Sequence, residues 1–216
     1  MRTDWLPFSA AALVIGAMAV LVAVMVNPVP SGSDTTGTLM VVEQSRSQWL
    51  ITAAMYFVGG VLMTLGLPAL LSLFVSRARA FGMVATGVLA LGTIGLAGFA
   101  MMLVFLRALV VEDLLRPGAA DRMAQEPALQ GFLYLWIAGF YLGVLLLAVA
   151  LLRARTVPAW VPAVMVLFVL SLPLPGWVGR PGAAVQMLLL TVAFTGAAMT
   201  AVSDQHQARL RRLDPA

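Results

Sequence analysis

The charged residues of this chain stand so far apart that their spacing decides the class of fold before any propensity is weighed. Stretches without Asp, Glu, Arg or Lys run 5–33, 47–76, 80–106, 127–152, 156–179 and 181–203, the shortest holding 23 residues. A helix needs about 20 apolar residues to cross a hydrocarbon layer of about 30 Å, so each stretch holds one span. Lipid offers the backbone no hydrogen bonds. A helix satisfies its own and an open strand does not. The spacing predicts an all-α, polytopic membrane helix bundle with six transmembrane helices, forming a single domain over residues 1–216. The spans fall near 6–26, 49–75, 81–106, 132–152, 157–172 and 183–202, with a cytoplasmic tail at 203–216.

Composition leads the same way. The chain is 62% hydrophobic and only 10% charged, with a mean hydropathy of +0.99, whereas soluble domains are about a quarter charged. A net charge of +4 suits a nucleic-acid binder only if the charges cluster on one surface. Here they form short runs between apolar blocks, where arginine orients a membrane protein instead. The expected surroundings are the lipid bilayer of a bacterial plasma membrane, with no nucleic-acid partner.

Orientation follows from the arginines, because cytoplasmic segments carry the basic excess. With the N-terminus inside, the inner segments hold Arg2, Arg77, Arg79, Arg153, Arg155, Arg209, Arg211 and Arg212. The outer ones hold Arg46, Arg107, Arg116, Arg122 and Arg180. Both termini are therefore expected in the cytoplasm. Trp5, Trp49, Trp160 and Trp177 fall near expected span ends, as an interfacial aromatic belt requires, while Trp136 lies about a turn inside the fourth span. Glu112 and Arg116 stand at i,i+4 in the favourable order, so the third helix is expected to continue past the membrane until Pro117-Gly118 stops it.

Much chemistry is excluded by absent residue types. There is no cysteine and no lysine, and the one histidine is His206 in the tail. Axial haem ligands, a retinal Schiff base, thiol redox chemistry and clustered metal ligands at membrane depth all lack their groups. The expected spans contain no Asp, Glu or Arg, which ion-coupled pumps usually place there. No cofactor, no metal and no catalytic residue is expected.

Small residues recur at helix-packing intervals. Gly92, Gly95 and Gly98 crowd one side of the third span, Gly139 and Gly143 form GxxxG in the fourth, and Ala193 and Ala197 form a ladder in the sixth. Close backbone approach drives association in lipid, so these faces mark either packing inside one bundle or a subunit interface. Gly66 and Pro68 predict a kink in the second span, since a mid-helix proline removes a backbone bond. Pro173 ends the fifth span early. Such interruptions either border a ligand cavity or are repaired by neighbours. Tyr56, Tyr134, Tyr141, Thr64, Thr93 and Gln186 are the polar groups available to line a cavity, and they suit a neutral or amphiphilic ligand.

Between Phe140-Tyr141-Leu142-Gly143 and Arg153-Ala154-Arg155-Thr156-Val157-Pro158-Ala159-Trp160, a glycine-bearing helix ends in arginines followed by Val-Pro-x-Trp. In this the chain resembles small six-helix integral membrane proteins of unknown function in actinobacteria. The resemblance covers about a third of the chain and implies a six-helix bundle without assigning an activity. The expected function is non-enzymatic, exerted through a lipid, another membrane protein or a second copy of the chain. The alternative is a facilitator or accessory permease subunit for a neutral or lipophilic solute.

Overall fold

The computed structural model describes residues 5–30, 33–74, 78–115 and 118–213, with side chains through Ser203. Arg2, Arg77, Arg116 and Pro117 lie outside the described residues, as do the side chains of His206, Arg209, Arg211 and Arg212. The regular structure among the described residues is helix: α1 Trp5–Val26, α2 Thr35–Gln44, α3 Arg46–Ser72, α4 Arg79–Val111, α5 Ala119–Ala124, α6 Pro127–Ala154, α7 Trp160–Leu170, α8 Leu174–Val178 and α9 Arg180–Leu213. Five of these, α1, α3, α4, α6 and the Arg180–Ser203 part of α9, are long and apolar enough to cross a bilayer. The protein is a membrane-embedded helix bundle.

Inside-out packing shows in each long helix. In α1 the inward positions are small or slim, such as Ala10, Gly16, Ala17 and Ala23, while Ile15, Met18, Val22 and Met25 point outward. Water would penalise those exposed side chains, and acyl chains cover them at no cost. Small inward residues let backbones approach.

Element ends follow local chemistry. Asp34 caps α2 by accepting from the Gly37 N–H at 2.7 Å, and Glu126 caps α6 by accepting from the Leu129 N–H at 2.7 Å, with Pro127 in the first turn. α4 does run past the expected end of the third span, to Val111, with Glu112 at its C-cap. Asp113 takes a left-handed conformation (φ 52°) and breaks the ladder there.

The fifth expected span, 157–172, holds one helix that is shorter than expected. α7 has 11 residues, or about 16 Å of rise, short of a crossing on its own. A turn at 171–173 then leads into α8. Pro173 supplies no N–H to extend the ladder, and Ser171 turns its hydroxyl back onto the Phe168 carbonyl at 2.7 Å.

The helices close into a ring in the order α1, α3, α4, α6, α7, α9 and back to α1. Neighbours run antiparallel: Gly16 meets Met63 and Leu13 meets Gly66, Gly60 meets Ala97 while Trp49 reaches Leu103, and Gly92 meets Phe140 while Gly143 meets Leu89. Ala10 and Ala198 share one small cluster with Ala69, whereas Val20, Val24 and Met187 meet in the other half of the bundle. α1 and α9 are thus antiparallel as well. α6 and α9 consequently run the same way, and the chain climbs back between them through α7 and α8. α2 and α5 touch each other at one end. The α3–α4 turn and the 155–159 linker lie at the opposite end.

Candidate functional site

The interior of the ring is full in one half and open in the other. Away from α2 and α5, Leu70, Phe74, Leu89, Leu147, Leu151 and Phe194 are all buried and pack into one core. Toward α2 and α5 the packing gives way to a partly open cavity of about 430 Å³, whose wall includes the exposed Ile137 and Leu172. Its walls are Val20 and Val24 of α1, Tyr56 of α3, Leu96 and Phe99 of α4, Leu133, Trp136, Ile137, Phe140 and Tyr141 of α6, Leu172, and Met187 of α9. That volume falls in the range of small-ligand pockets, about 300–1,000 Å³.

Aromatic rings set the cavity's shape. Tyr56 meets Phe99 edge-on with centroids 6.0 Å apart, and Phe99 lies against Trp136 at 5.5 Å. Tyr141 stacks on Phe168 at 5.2 Å, and Phe168 also meets Phe140 edge-on. Such pairs hold rings in defined orientations. No charged side chain contributes to the wall.

The polar groups are few and uncharged. The Tyr141 hydroxyl donates to Gln186 Oε1 at 3.4 Å, and Gln186 Nε2 donates to the Phe168 carbonyl at 3.5 Å. Both bonds are long. They nonetheless tie α6, α7 and α9 together around one buried amide. Trp136 differs. Its Nε1 is buried and has no hydrogen-bond partner among the described residues, and indole nitrogen can only donate.

A second hollow lies back to back with the first. A groove of about 450 Å³ between α4 and α6 is lined by Leu91, Ile94, Gly95, Gly98, Phe99, Met102, Leu129, Phe132, Leu133, Leu135 and Trp136. It belongs to the membrane-facing surface, where Phe132 is 75% exposed. Phe99, Leu133 and Trp136 line both hollows, so these three side chains are the partition between them.

The residues expected from sequence separate into several groups. Tyr56 and Tyr141 line the cavity, and Gln186 bonds to Tyr141 behind it. Tyr134 lies 68% exposed on the outer surface of α6 and does not line it. Pro68 and Pro173 are themselves exposed and line neither hollow, but Leu172, in the turn that ends at Pro173, belongs to the cavity wall, so the second interruption borders the cavity and the first does not. Their freed groups are handled locally. At Pro68 the Ser9 hydroxyl accepts from the Ala69 N–H at 2.9 Å and donates to the Leu65 carbonyl at 3.0 Å. Gly66 is a packing residue, since a Cβ there would lie 2.6 Å from Leu13 Cα.

Of the packing glycines, Gly92 and Gly143 sit against the backbones of Phe140 and Leu89, and Gly95 sits beneath the Trp136 side chain. Gly139 is in ordinary contact, with a Cβ there 3.5 Å from the Gly92 nitrogen. Gly98 has nothing within 4 Å and faces the groove, which corrects its grouping with the others. Ala193 and Ala197 are fully buried.

Sequence reasoning missed the cavity residues Val20, Val24, Leu96, Phe99, Phe140 and Met187, which look like any apolar span residues. Trp136 carried a legible signal, because a tryptophan deeper than the interfacial belt needs another reason to be there. Comparison with protein-family models, curated proteins and solved structures finds no match to this chain.

Proposed function

We propose that this is a non-enzymatic multi-pass protein of the bacterial plasma membrane that takes an uncharged lipophilic molecule into the cavity described above. It crosses the membrane six times with both termini in the cytoplasm, α7 and α8 together making the broken fifth crossing. Supporting the sixth crossing is the parallel course of α6 and α9, which requires the chain between them to return. Supporting the orientation are the arginines Arg79, Arg153 and Arg155 at the end of the bundle opposite α2 and α5.

The single observation that carries the functional reading is the cavity's lining: twelve residues, aromatic or aliphatic, without one charge. Such a wall excludes ions and welcomes hydrocarbon. Binding is favoured over facilitated passage because the buried core fills the other half of the ring. A solute reaching the cavity finds no continuation beyond it.

Native cysteine is absent, so single cysteines report topology cleanly. Replacements at Ser33, Gln125 and Gly176 are expected to react with an impermeant thiol reagent in intact cells, and one at Arg155 only after permeabilisation. Reaction at Arg155 with protection at Gln125 reverses the orientation, and protection at Gly176 alone removes the sixth crossing. For the cavity, organic extraction of purified protein followed by mass spectrometry is expected to recover a neutral lipophile. Met187→Trp, which fills the hollow, should lose it. Equal recovery from both proteins places the lipophile elsewhere.

A further inference from the structure

We propose that the Phe99–Trp136 pair is a lateral gate between bilayer and cavity, and that the Trp136 indole N–H binds an acceptor oxygen on the lipophile that passes through. The inference rests on reading the cavity as a lipophile site and adds its route of access and the chemistry it selects.

The geometry of the α4–α6 seam is the starting point. The two helices are in backbone contact where Gly143 faces Leu89 and Gly92 faces Phe140. One turn further, a Cβ at Gly95 would meet chiefly the Trp136 side chain, with the Trp136 Cα at 3.4 Å, farther than the Phe140 Cα from one at Gly92, and at Gly98 nothing lies within 4 Å. The seam loosens toward Gly98. Phe99 and Trp136, with Leu133, stand between the membrane-facing groove and the cavity. Rotation of one or two rings therefore joins the hollows without moving a helix. The absence of a side chain at Gly98 leaves the groove open on the lipid side.

Recognition follows from the orphan donor. Trp136 Nε1 is buried without a partner, a costly state, and the ring rotation that joins the hollows is what brings this donor to an oxygen acceptor on the passing molecule. The site thus distinguishes a lipophile bearing a carbonyl or ether oxygen from a plain hydrocarbon. An ester lipid and an isoprenoid quinone both supply that oxygen on an apolar chain.

Two variants separate route from recognition in the purified full chain reconstituted in nanodiscs. Trp136→Phe keeps an aromatic, though smaller, ring in the partition and removes the N–H, and Gly98→Leu fills open space in the groove. The probes are dioleoylglycerol, decylubiquinone and the oxygen-free hydrocarbon squalane, with uptake and retention followed by mass spectrometry. The wild type should retain oxygen-bearing probes in preference to squalane. Preference between the glycerolipid and the quinone then names the source of the oxygen. Trp136→Phe should bind the oxygen-bearing probes about five- to tenfold more weakly, as loss of one hydrogen bond implies, and leave squalane unchanged. Gly98→Leu should slow uptake while leaving final occupancy intact. Unchanged affinity in Trp136→Phe overturns the recognition, and unchanged uptake in Gly98→Leu overturns the gate. A folded wild type that retains none of the probes removes the lipophile reading itself, a different failure from either.

Discussion

Two glycines of the α4–α6 seam show how little spacing says about a single residue. A Cβ at Gly143 would stand 2.5 Å from Leu89 Cα and 2.6 Å from its nitrogen, so an added methyl meets backbone that cannot rotate away. Gly143→Ala should cost about 1–3 kcal/mol, the usual penalty of overpacking. Gly98→Ala meets open space and should be neutral or gain up to about 1 kcal/mol of helix propensity. Melting curves in detergent for the two variants check the contrast, and equal losses would contradict it. Sequence identified the glycine-rich faces but could not name what each glycine faces, because that depends on where the neighbouring helix crosses. Trp49 repeats the lesson. Its position near a span end suggested the interfacial belt, yet it is buried, donating to the Leu103 carbonyl at 2.8 Å and pinning the start of α3 to α4.

Proline and serine together explain how α3 stays one helix. Pro68 was legible as an interruption of the ladder. Its repair was not, because Ser9 lies 59 residues earlier in the chain and looks like an incidental polar group. The Ser9 hydroxyl stands between the Ala69 N–H and the Leu65 carbonyl, completing a bond the proline has opened. Ser9→Ala removes the hydroxyl that bridges both groups in a buried seam and should lower stability by about 2 kcal/mol. Pro68→Ala lets the helix close its own ladder, so the double variant should recover most of that loss. A double-mutant cycle on thermal unfolding measures the coupling, and strict additivity would show that the two residues act independently. Elements elsewhere were legible in proportion to their apolar length. Five long helices were anticipated, α1 and α3 within three residues, whereas α4 and α6 each overrun one end by five residues, α9 continues to Leu213, and α2, with its Asp34 cap, lies between two expected spans. The early end of the fifth span was legible in Pro173, but the short α8 beyond it was not, because hydropathy does not report a turn. The twin Arg-Ala-Arg segments also diverge: Ala78 takes the left-handed conformation ahead of α4, while at the other site Arg155 does so to end α6.

At the scale of the molecule, charge spacing was enough to place the chain in a membrane as a bundle of helices, but it carried no information about order around a ring. That order arises from which faces are small, and from seams such as Gly16 against Met63 and Gly60 against Ala97 that bring distant stretches together. The cavity is a property of the ring and of no single element. Ring closure has a consequence of its own. Because α1 and α9 lie side by side, with Leu6, Ala10, Ala198 and Val202 in one cluster, the bundle is a necklace whose clasp is an ordinary helix seam. The order in which beads are threaded then matters less than which beads adjoin. A circular permutant that joins Ser203 to Trp5 through a flexible linker and opens the chain within 156–158 keeps every seam. Both the join and the cut lie at the same end of the bundle, so each helix retains its direction. This permutant should insert and melt close to the parent protein. Opening the chain between α2 and α3 places the new ends on the opposite face and should impair insertion. Membrane extraction and melting curves of the two permutants decide whether linear order or neighbourhood holds the fold.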